Sequence, residues 1–489
     1  MASKKKASTF RLEHDFLGER EIPATAYYGV QSLRGNENFP ITGEKPHPSL
    51  IRAIGMVKKA SALANFDVGL LEKRLCTAIV SAADEIIAGK HLDQFIVDPI
   101  QGGAGTSFNM NANEVIANRA LEILGEELGR YDIVSPNNHV NMGQSTNDAF
   151  PTAIHIAALM DTESLLAEMR RMHGAFLANA EQFHPLIKMG RTHLQDAIPI
   201  RLGQEFEAYG MVLARDIERV RAMAIPLYQV NLGATAIGTG LNADPQYITL
   251  SVKHLAAISG YPMGNAEHLV DATQNTDAYT ALSSALKICM LNMSKIANDL
   301  RLMSSGPRCG LGELNLPECQ PGSSIMPGKV NPVMAEVLNQ VAFQVVGNDC
   351  TISLASQAGQ FELNVMEPVL VYNLLQSLGI MRNVFRVFRE NLLEGLTANE
   401  DRMRSYVEDS VGTITAVVPH IGYEASSKIA KESICTKRPV RELLLRDKLL
   451  TEKELDVILH PSEMTKPGIA GYAILKAKRK AAAAAKKTK

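Results

Sequence analysis

Between residue 148 and about residue 400 the chain carries stretches of 23 to 31 residues with almost no helix breaker, and this constrains the fold more than any other feature. AIHIAALMDTESLLAEMRRMHGAFLANAEQF, LGQEFEAYGMVLARDIERVRAMA, AYTALSSALKICMLNMSKIANDLRLMSS and PVMAEVLNQVAFQVVGNDCTISLASQ each read as one helix. In the third, Leu282, Leu286, Met290, Met293, Ile296 and Leu300 recur at helical spacing, and Ile288 and Leu291 widen the apolar stripe. A helix apolar over so much of its circumference needs neighbours on several sides. At about 1.5 Å per residue these helices are roughly 35 to 45 Å long, the geometry of a rod-like bundle that associates with copies of itself.

The flanks read differently. Residues 11 to about 145 hold the densest turn signals (EIPATAYYGV, RGNENFPITG, PIQGGAGTS, SPNNHV) between helical pieces such as SALANFDVGLLEKRLCTAIVSAADEIIAG. Beyond about 401 the helices shorten and turn polar. The expected class is therefore mainly α, in three parts: a mixed helical and loop domain over 1–147, a central helical bundle over 148–401 and a small helical domain over 402–489. No internal repeat is found.

Composition bounds the function. Hydrophobic residues make up 46% and charged residues 21%, and no apolar run reaches the eighteen residues of a membrane span, so the expectation is a globular protein without a membrane partner. The basic start MASKKKASTF lacks the apolar stretch of a secretory signal, which points to the cytoplasm. Six scattered cysteines without a CxxC pair suit reduced thiols. The net charge of −2 hides an asymmetry: Lys4 to Lys6 carry three positive charges and residues 476–489 carry seven, leaving −12 for the rest. These basic ends read as solvated low-complexity tails rather than as a nucleic-acid site.

The chemistry lies in four polar clusters, each on a turn beside a long helix: GGAGTS (Gly102 to Ser107), QSTND (Gln144 to Asp148), GRTHLQDA (Gly190 to Ala197) and GSSIMPGKVNP (Gly322 to Pro332). The last is not a phosphate-binding P-loop, because five residues separate its glycines and Val330 follows Lys329. GGAGTSF is not a dinucleotide fingerprint, because Phe108 stands where the third glycine belongs. No HExxH or dense His/Cys/Asp cluster suggests a metal site. Hydroxyls, loop amides and the Lys329 ammonium, with no paired carboxylate, suit a pocket for a carboxylate anion. QSTND precedes a helix of about 30 residues and GRTHL follows it, so within one chain they lie roughly 40 Å apart. A pocket lined by both must draw on more than one subunit.

GSSIMPGKVNP resembles the signature loop of the fumarase/aspartase superfamily, and the resemblance runs from about Arg11 to Tyr472. AYYGVQSLR, QGGAGTSFNMN, QSTNDAFPTA, NLGATAIGTGLN and ELNVMEPV are similar to the aspartases within it, whereas GRTHLQDA and GPRCGLGE fit fumarases equally well. The resemblance implies a central five-helix bundle, four of which join into the twenty-helix core of a homotetramer with sites shared between subunits. It implies reversible anti elimination of ammonia from L-aspartate to give fumarate through an aci-carboxylate intermediate, with no cofactor and no metal. Class II fumarase, adding water to fumarate, is the alternative within the superfamily; a non-catalytic helical scaffold with basic tails is the alternative outside it.

By motif position the resemblance makes Ser323 the base and places Thr106, Ser145, Thr146 and the amide of Ser324 on the β-carboxylate. Thr192, Lys329 and Asn331 take the α-carboxylate. Asn147 and His193 lie near the amino group, with proton transfer as a second role for His193. Arg34 supports the site from behind it. Ser145, Thr146 and Asn331 are also suited to cap the helices that follow them. Gly322 and Gly328 offer permissive backbone at either end of SSIMP, as a mobile lid requires.

Overall fold

The computed structural model describes residues 9–487. They fall into two compact units that do not follow chain order, one built from the chain up to Met169 with Asp216–Leu291 and Gln340–Val384, the other from Arg170–Arg215, Asn292–Asn339 and the chain from Phe385 on. The fold is mainly α, and its few strands form two-stranded sheets.

The first unit opens with an antiparallel hairpin of β1 (Phe10–Asp15) and β2 (Gly18–Pro23), followed by α1 (Val30–Asn38). Free N–H groups at the start of α1 are satisfied by the wholly buried Glu114, which accepts from Gly29, Gln31 and Ser32, so a carboxyl sits at the positive end of the helix. Burial pushes the Glu114 carboxyl up to about 7 against these bonds. The piece read from sequence as one helix over 61–89 is two, α2 (Pro48–Asp67) and α3 (Lys73–Ile87), because the chain turns between them. α2 packs on α3, on α4 (Thr106–Ile123) and on α7 (Pro245–Ser259).

Five helices carry the long apolar repeats: α5 (Thr146–Gln182), α6 (Leu202–Ala224), α9 (Asp277–Met303), α10 (Val333–Gln357) and α11 (Glu367–Asn391), with the short α8 (Leu269–Gln274) ahead of α9. α5 runs 37 residues, about 55 Å at the standard rise, and tolerates Pro151 within its opening turns. On α9 the six residues of the expected stripe are at most 1% exposed, each stabilising the fold by about 1.5 to 3 kcal/mol relative to exposure. Ile288 and Leu291, read as widening that stripe, are 38% and 53% exposed, so in the single chain the second face of α9 has no cover.

In the second unit β3 (Ile187–Thr192) and β4 (Gln195–Arg201) form an antiparallel hairpin with a register shift between Met189 and Arg191. This hairpin was not expected from the sequence. Short helices α12 (Glu400–Asp409), α13 (Ile414–Ile421), α14 (Tyr423–Thr436), α15 (Val440–Arg446), α16 (Glu452–Ile458) and α17 (Pro461–Met464) follow, as expected from the shorter, more polar helical segments beyond about 401. Val417, Ile429, Leu443, Leu444 and Ile458 form a small core of their own. The basic C-terminal stretch is helical in α18 (Tyr472–Lys487), where Lys478 pairs with Glu454 at 2.7 Å. The basic N-terminal residues Lys4 to Lys6 lie outside the described residues.

Candidate active site

The first unit brings four of the expected site residues together at two helix starts. Thr106 opens α4, exposed, with its hydroxyl donating to Gly103 O at 2.7 Å. Gly103, Ala104 and Gly105 before it all have left-handed φ, which glycine adopts readily, so the strain of the kind that clusters at functional sites falls on Ala104. Ser145, Thr146 and Asn147 open α5. Ser145 caps it: the Asn147 N–H donates to Ser145 Oγ at 3.3 Å, and the Ser145 N–H donates back to Asp148 Oδ1 at 2.9 Å. Asn147 donates its side-chain N–H to Ala236 O at 2.7 Å, which leaves its amide oxygen unengaged among the described residues. Asn109, one turn into α4, donates to Thr146 Oγ1 at 3.2 Å and joins the two helix starts.

Beneath them lies a layer that the sequence reading missed. Asp148 is wholly buried and accepts N–H bonds from Ser145, Gly233 and Thr235, so QSTND does contain a carboxylate, turned inward to backbone donors. Burial pushes it up to about 7, opposed by those bonds and by Lys58. Lys58, also wholly buried, donates to Asn109 Oδ1 at 2.7 Å, Gln144 Oε1 at 2.8 Å and Asn141 Oδ1 at 3.1 Å. Burial lowers its ammonium to about 7 against the attraction of Asp148. The signal was available in NMNANEVIAN: Asn109, Asn111, Asn113 and Asn118 are poor helix-interior residues, and so many in one helix mark a buried polar network.

In the second unit Thr192 ends β3, and His193 and Leu194 are the two turn residues of the β3–β4 hairpin. Both have left-handed φ, 54° and 58°, as a two-residue hairpin requires, without the Asn or Gly that adopts it cheaply. Bonds behind the turn hold it. Arg191 grips the wholly buried Glu313 through two bonds of 2.8 and 3.1 Å, and Lys188 lies 3.2 Å from Glu313 and 2.9 Å from Glu205. Burial raises the Glu205 carboxyl, opposed by Lys188. His193 and Thr192 are exposed, and His193 makes no hydrogen bond among the described residues. His193, Lys188 and Lys295 line a cavity of about 740 Å³.

The loop 322–331 in the same unit is closed at its base and open along its length. The Gly322 N–H donates to Lys329 O at 2.8 Å, and the Asn331 side-chain amide donates to Gly322 O at 2.7 Å. Asn331 Oδ1, the atom that would cap α10, accepts no hydrogen bond among the described residues, so the side chain ties the loop base rather than the helix start. Ser323 Oγ accepts N–H bonds from Ile325 at 3.2 Å and Met326 at 3.1 Å, so two backbone donors already point at its oxygen. Ser324 and Lys329 are exposed. Among the described residues no hydrogen bond joins this loop to Thr192 or His193. Arg34 donates to both oxygens of Asp15, at 2.8 and 2.9 Å, and to Gly18 O, bracing the first hairpin and holding the Asp15 carboxyl below its usual range.

The arrangement offers two sets of donors: hydroxyls and amides over a buried polar layer, and an exposed loop with a serine and a lysine. Residues 18–347 match a family described as Lyase, and residues 414–466 match one described as Fumarase C C-terminus. The aspartate ammonia-lyase of Bacillus subtilis (strain 168) is 66% identical, covering 95% of this chain and 98% of its own length. Among solved structures, a fumarate lyase:delta crystallin of Brucella melitensis superposes with a TM-score of 0.92 at 47% identity, covering 94% of this chain and 100% of that one. A class II fumarase of Schistosoma mansoni superposes at 0.90 with 34% identity, covering 94% and 99%.

Proposed function

The chain belongs to the fumarase/aspartase superfamily of lyases, and we propose that within it the chain is an aspartate ammonia-lyase, a carbon–nitrogen lyase that interconverts L-aspartate with fumarate and ammonia. The observation that carries this reading is the 66% identity with the Bacillus subtilis enzyme over nearly the whole of both chains, against 34% with the class II fumarase.

Ser323 removes a proton from the carbon beside the β-carboxylate, and the electron pair passes into that carboxylate as an aci-carboxylate dianion. Collapse of the dianion breaks the C–N bond, ammonia leaves and fumarate remains. A serine acts as a base only where its alkoxide is stabilised; the Ile325 and Met326 N–H groups on Oγ and the Lys329 ammonium nearby in the loop supply that. Thr106, Ser145, Thr146 and the Ser324 amide hold the β-carboxylate, where each preorganised donor on the developing charge contributes roughly 3 kcal/mol. Thr192, Lys329 and Asn331 hold the α-carboxylate. Asn147 offers its free amide oxygen to the amino group, and His193 stands by the same group, positioned to move a proton.

The same reading makes the molecule a cytoplasmic homotetramer divided at 147/148 and 401/402. The uncovered Ile288 and Leu291 face of α9 and exposed Phe343 and Leu354 on α10 suit helix partners from other subunits. A helix of 37 residues between QSTND and GRTHL supports sites assembled from more than one chain. Among the described residues no helix is long and apolar enough to cross a membrane.

Incubation of purified protein with fumarate, with and without ammonium, tests the assignment. Aspartate formed only with ammonium is expected; malate formed without ammonium, and no aspartate with it, overturns the assignment in favour of a fumarase.

A further inference from the structure

Lys58 is an unusual core residue. Its ammonium has donors and no acceptor, and all three oxygens it faces, Asn109 Oδ1, Gln144 Oε1 and Asn141 Oδ1, belong to neutral side-chain amides. A cation buried among neutral partners is expensive to desolvate, and filling the same space with an apolar side chain would be easier. What the cation accomplishes is to fix which end of each amide faces it.

Asn109 must turn its oxygen toward Lys58, so its N–H groups point the other way, 3.2 Å from Asn141 Oδ1 and 3.2 Å from Thr146 Oγ1. The same holds at Gln144, whose N–H groups reach Val140 O at 3.0 Å and Met142 O at 3.3 Å. Thr146 Oγ1 is thereby an acceptor. A hydroxyl that accepts on one side keeps its single proton for another, and among the described residues Thr146 has no acceptor for it. With the Asn109 amide reversed, Oδ1 would take the Thr146 proton and the hydroxyl would face a ligand with a lone pair, repelling a carboxylate.

We propose that Lys58 is a positioning residue that, through Asn109, holds the Thr146 hydroxyl as a hydrogen-bond donor toward the carboxylate of the substrate. This rests on the reading above that Thr146 meets a carboxylate, and adds to it the means by which the polarity of that contact is set. Lys58 and Asn109 themselves touch no substrate.

The test is a double-mutant cycle of Asn109→Asp and Thr146→Val, read by steady-state deamination of L-aspartate and by calorimetric binding of succinate. Asn109→Asp keeps the shape and gives Lys58 a stronger partner, but it replaces the donor facing Thr146 Oγ1 and Asn141 Oδ1 with an acceptor, so thermal unfolding is measured beside it to separate any loss of the fold. Each single change is expected to weaken succinate binding and raise KM for aspartate by about ten- to hundredfold. The double variant should be within about twofold of Thr146→Val alone, since Asn109 acts only through that hydroxyl. Effects that multiply, as an independent structural or through-space charge effect would, overturn the proposal, as does unchanged succinate binding by Asn109→Asp. Lys58→Met gives a second arm, expected to weaken binding in the wild-type background and not in Thr146→Val; if it does not fold, the cycle still decides. A wild-type protein that binds succinate but leaves aspartate untouched overturns the aspartate assignment alone, and one that does neither overturns both.

Discussion

The cluster at the starts of α4 and α5 and the loop 322–331 carry the same kinds of polar side chain and are built in opposite ways. In the first, every residue below the surface is cross-bonded: Asp148 takes three backbone N–H groups, Lys58 takes three amide oxygens, and Asn109 ties one helix start to the next. In the second, the bonds are at the base or from the loop to itself, and Ser324 to Val330 are exposed. A cradle that must stabilise a developing dianion gains from donors fixed in advance. A segment that brings a base to bound substrate must be able to move, and such segments come from the weakly held parts of a fold. Changes in the cradle should therefore cost stability and binding together, and changes in the loop should cost catalysis without stability.

The largest separation is expected at Ser323. Ser323→Ala removes the proposed base and only two local hydrogen bonds, so kcat for aspartate deamination should fall at least about a thousandfold, with thermal unfolding and oligomeric state unchanged. Turnover within tenfold of wild type would remove Ser323 from the chemistry and leave it as a loop cap.

Asp148→Asn should show the reverse pattern. It puts an amide NH2 donor against backbone N–H donors at a wholly buried site, and a cost of about 3 kcal/mol is expected in chemical unfolding. Its pH signature is specific. The folded carboxyl is raised from 3.8 to about 7, so between those values the native state holds a proton that the unfolded chain has released. Its contribution is full below about pH 4 and is lost as pH rises through about 7, with a slope of up to about 1.4 kcal/mol per pH unit. Asp148→Asn should remove that part of the stability profile and Ser323→Ala should leave it intact. A profile unaltered by Asp148→Asn would mean that the carboxyl titrates in the fold as it does in the unfolded chain.

How far each region was legible follows from the range of the forces that shape it. The limits of α6 match the segment LGQEFEAYGMVLARDIERVRAMA read from sequence, because a 3.6-residue apolar period is a local signal. Polar side chains in the four clusters stood out for the same reason. The β3–β4 hairpin escaped because its turn is His193–Leu194 rather than Asn–Gly, and two left-handed residues of that kind are held by Arg191, Lys188 and Glu313, the last of them 122 positions away from Arg191 in the chain. Lys58 escaped because nothing in IRAIGMVKKASALA separates it from its neighbour Lys59, which pairs with Asp84 at 2.6 Å. Only the assembled fold decides which of the two lysines is buried.

The two glycines of the loop divide its base from its span, and give the finest test of the contrast. A Cβ at Gly322 would lie 2.4 Å from Lys329 O and 3.0 Å from Asn331 N, so Gly322→Ala must push apart the strands of chain that close the loop. A fall in kcat of about ten- to hundredfold is expected, with KM rising because Lys329 and Asn331 move, while the melting temperature stays within a few degrees. Gly328 has a left-handed φ of 79° and open space where a Cβ would go. Gly328→Ala therefore meets no clash and only the intrinsic cost of that backbone conformation, about 1 kcal/mol, which corresponds to roughly a fivefold loss of the loop shape seen here. If that shape is what presents Ser323, kcat should fall by up to about fivefold, with KM for aspartate and thermal stability unchanged. A larger loss at Gly328 than at Gly322 would place the hinge in the span rather than at the base, and a loss of stability at either would mean that the loop is a structural part of the fold.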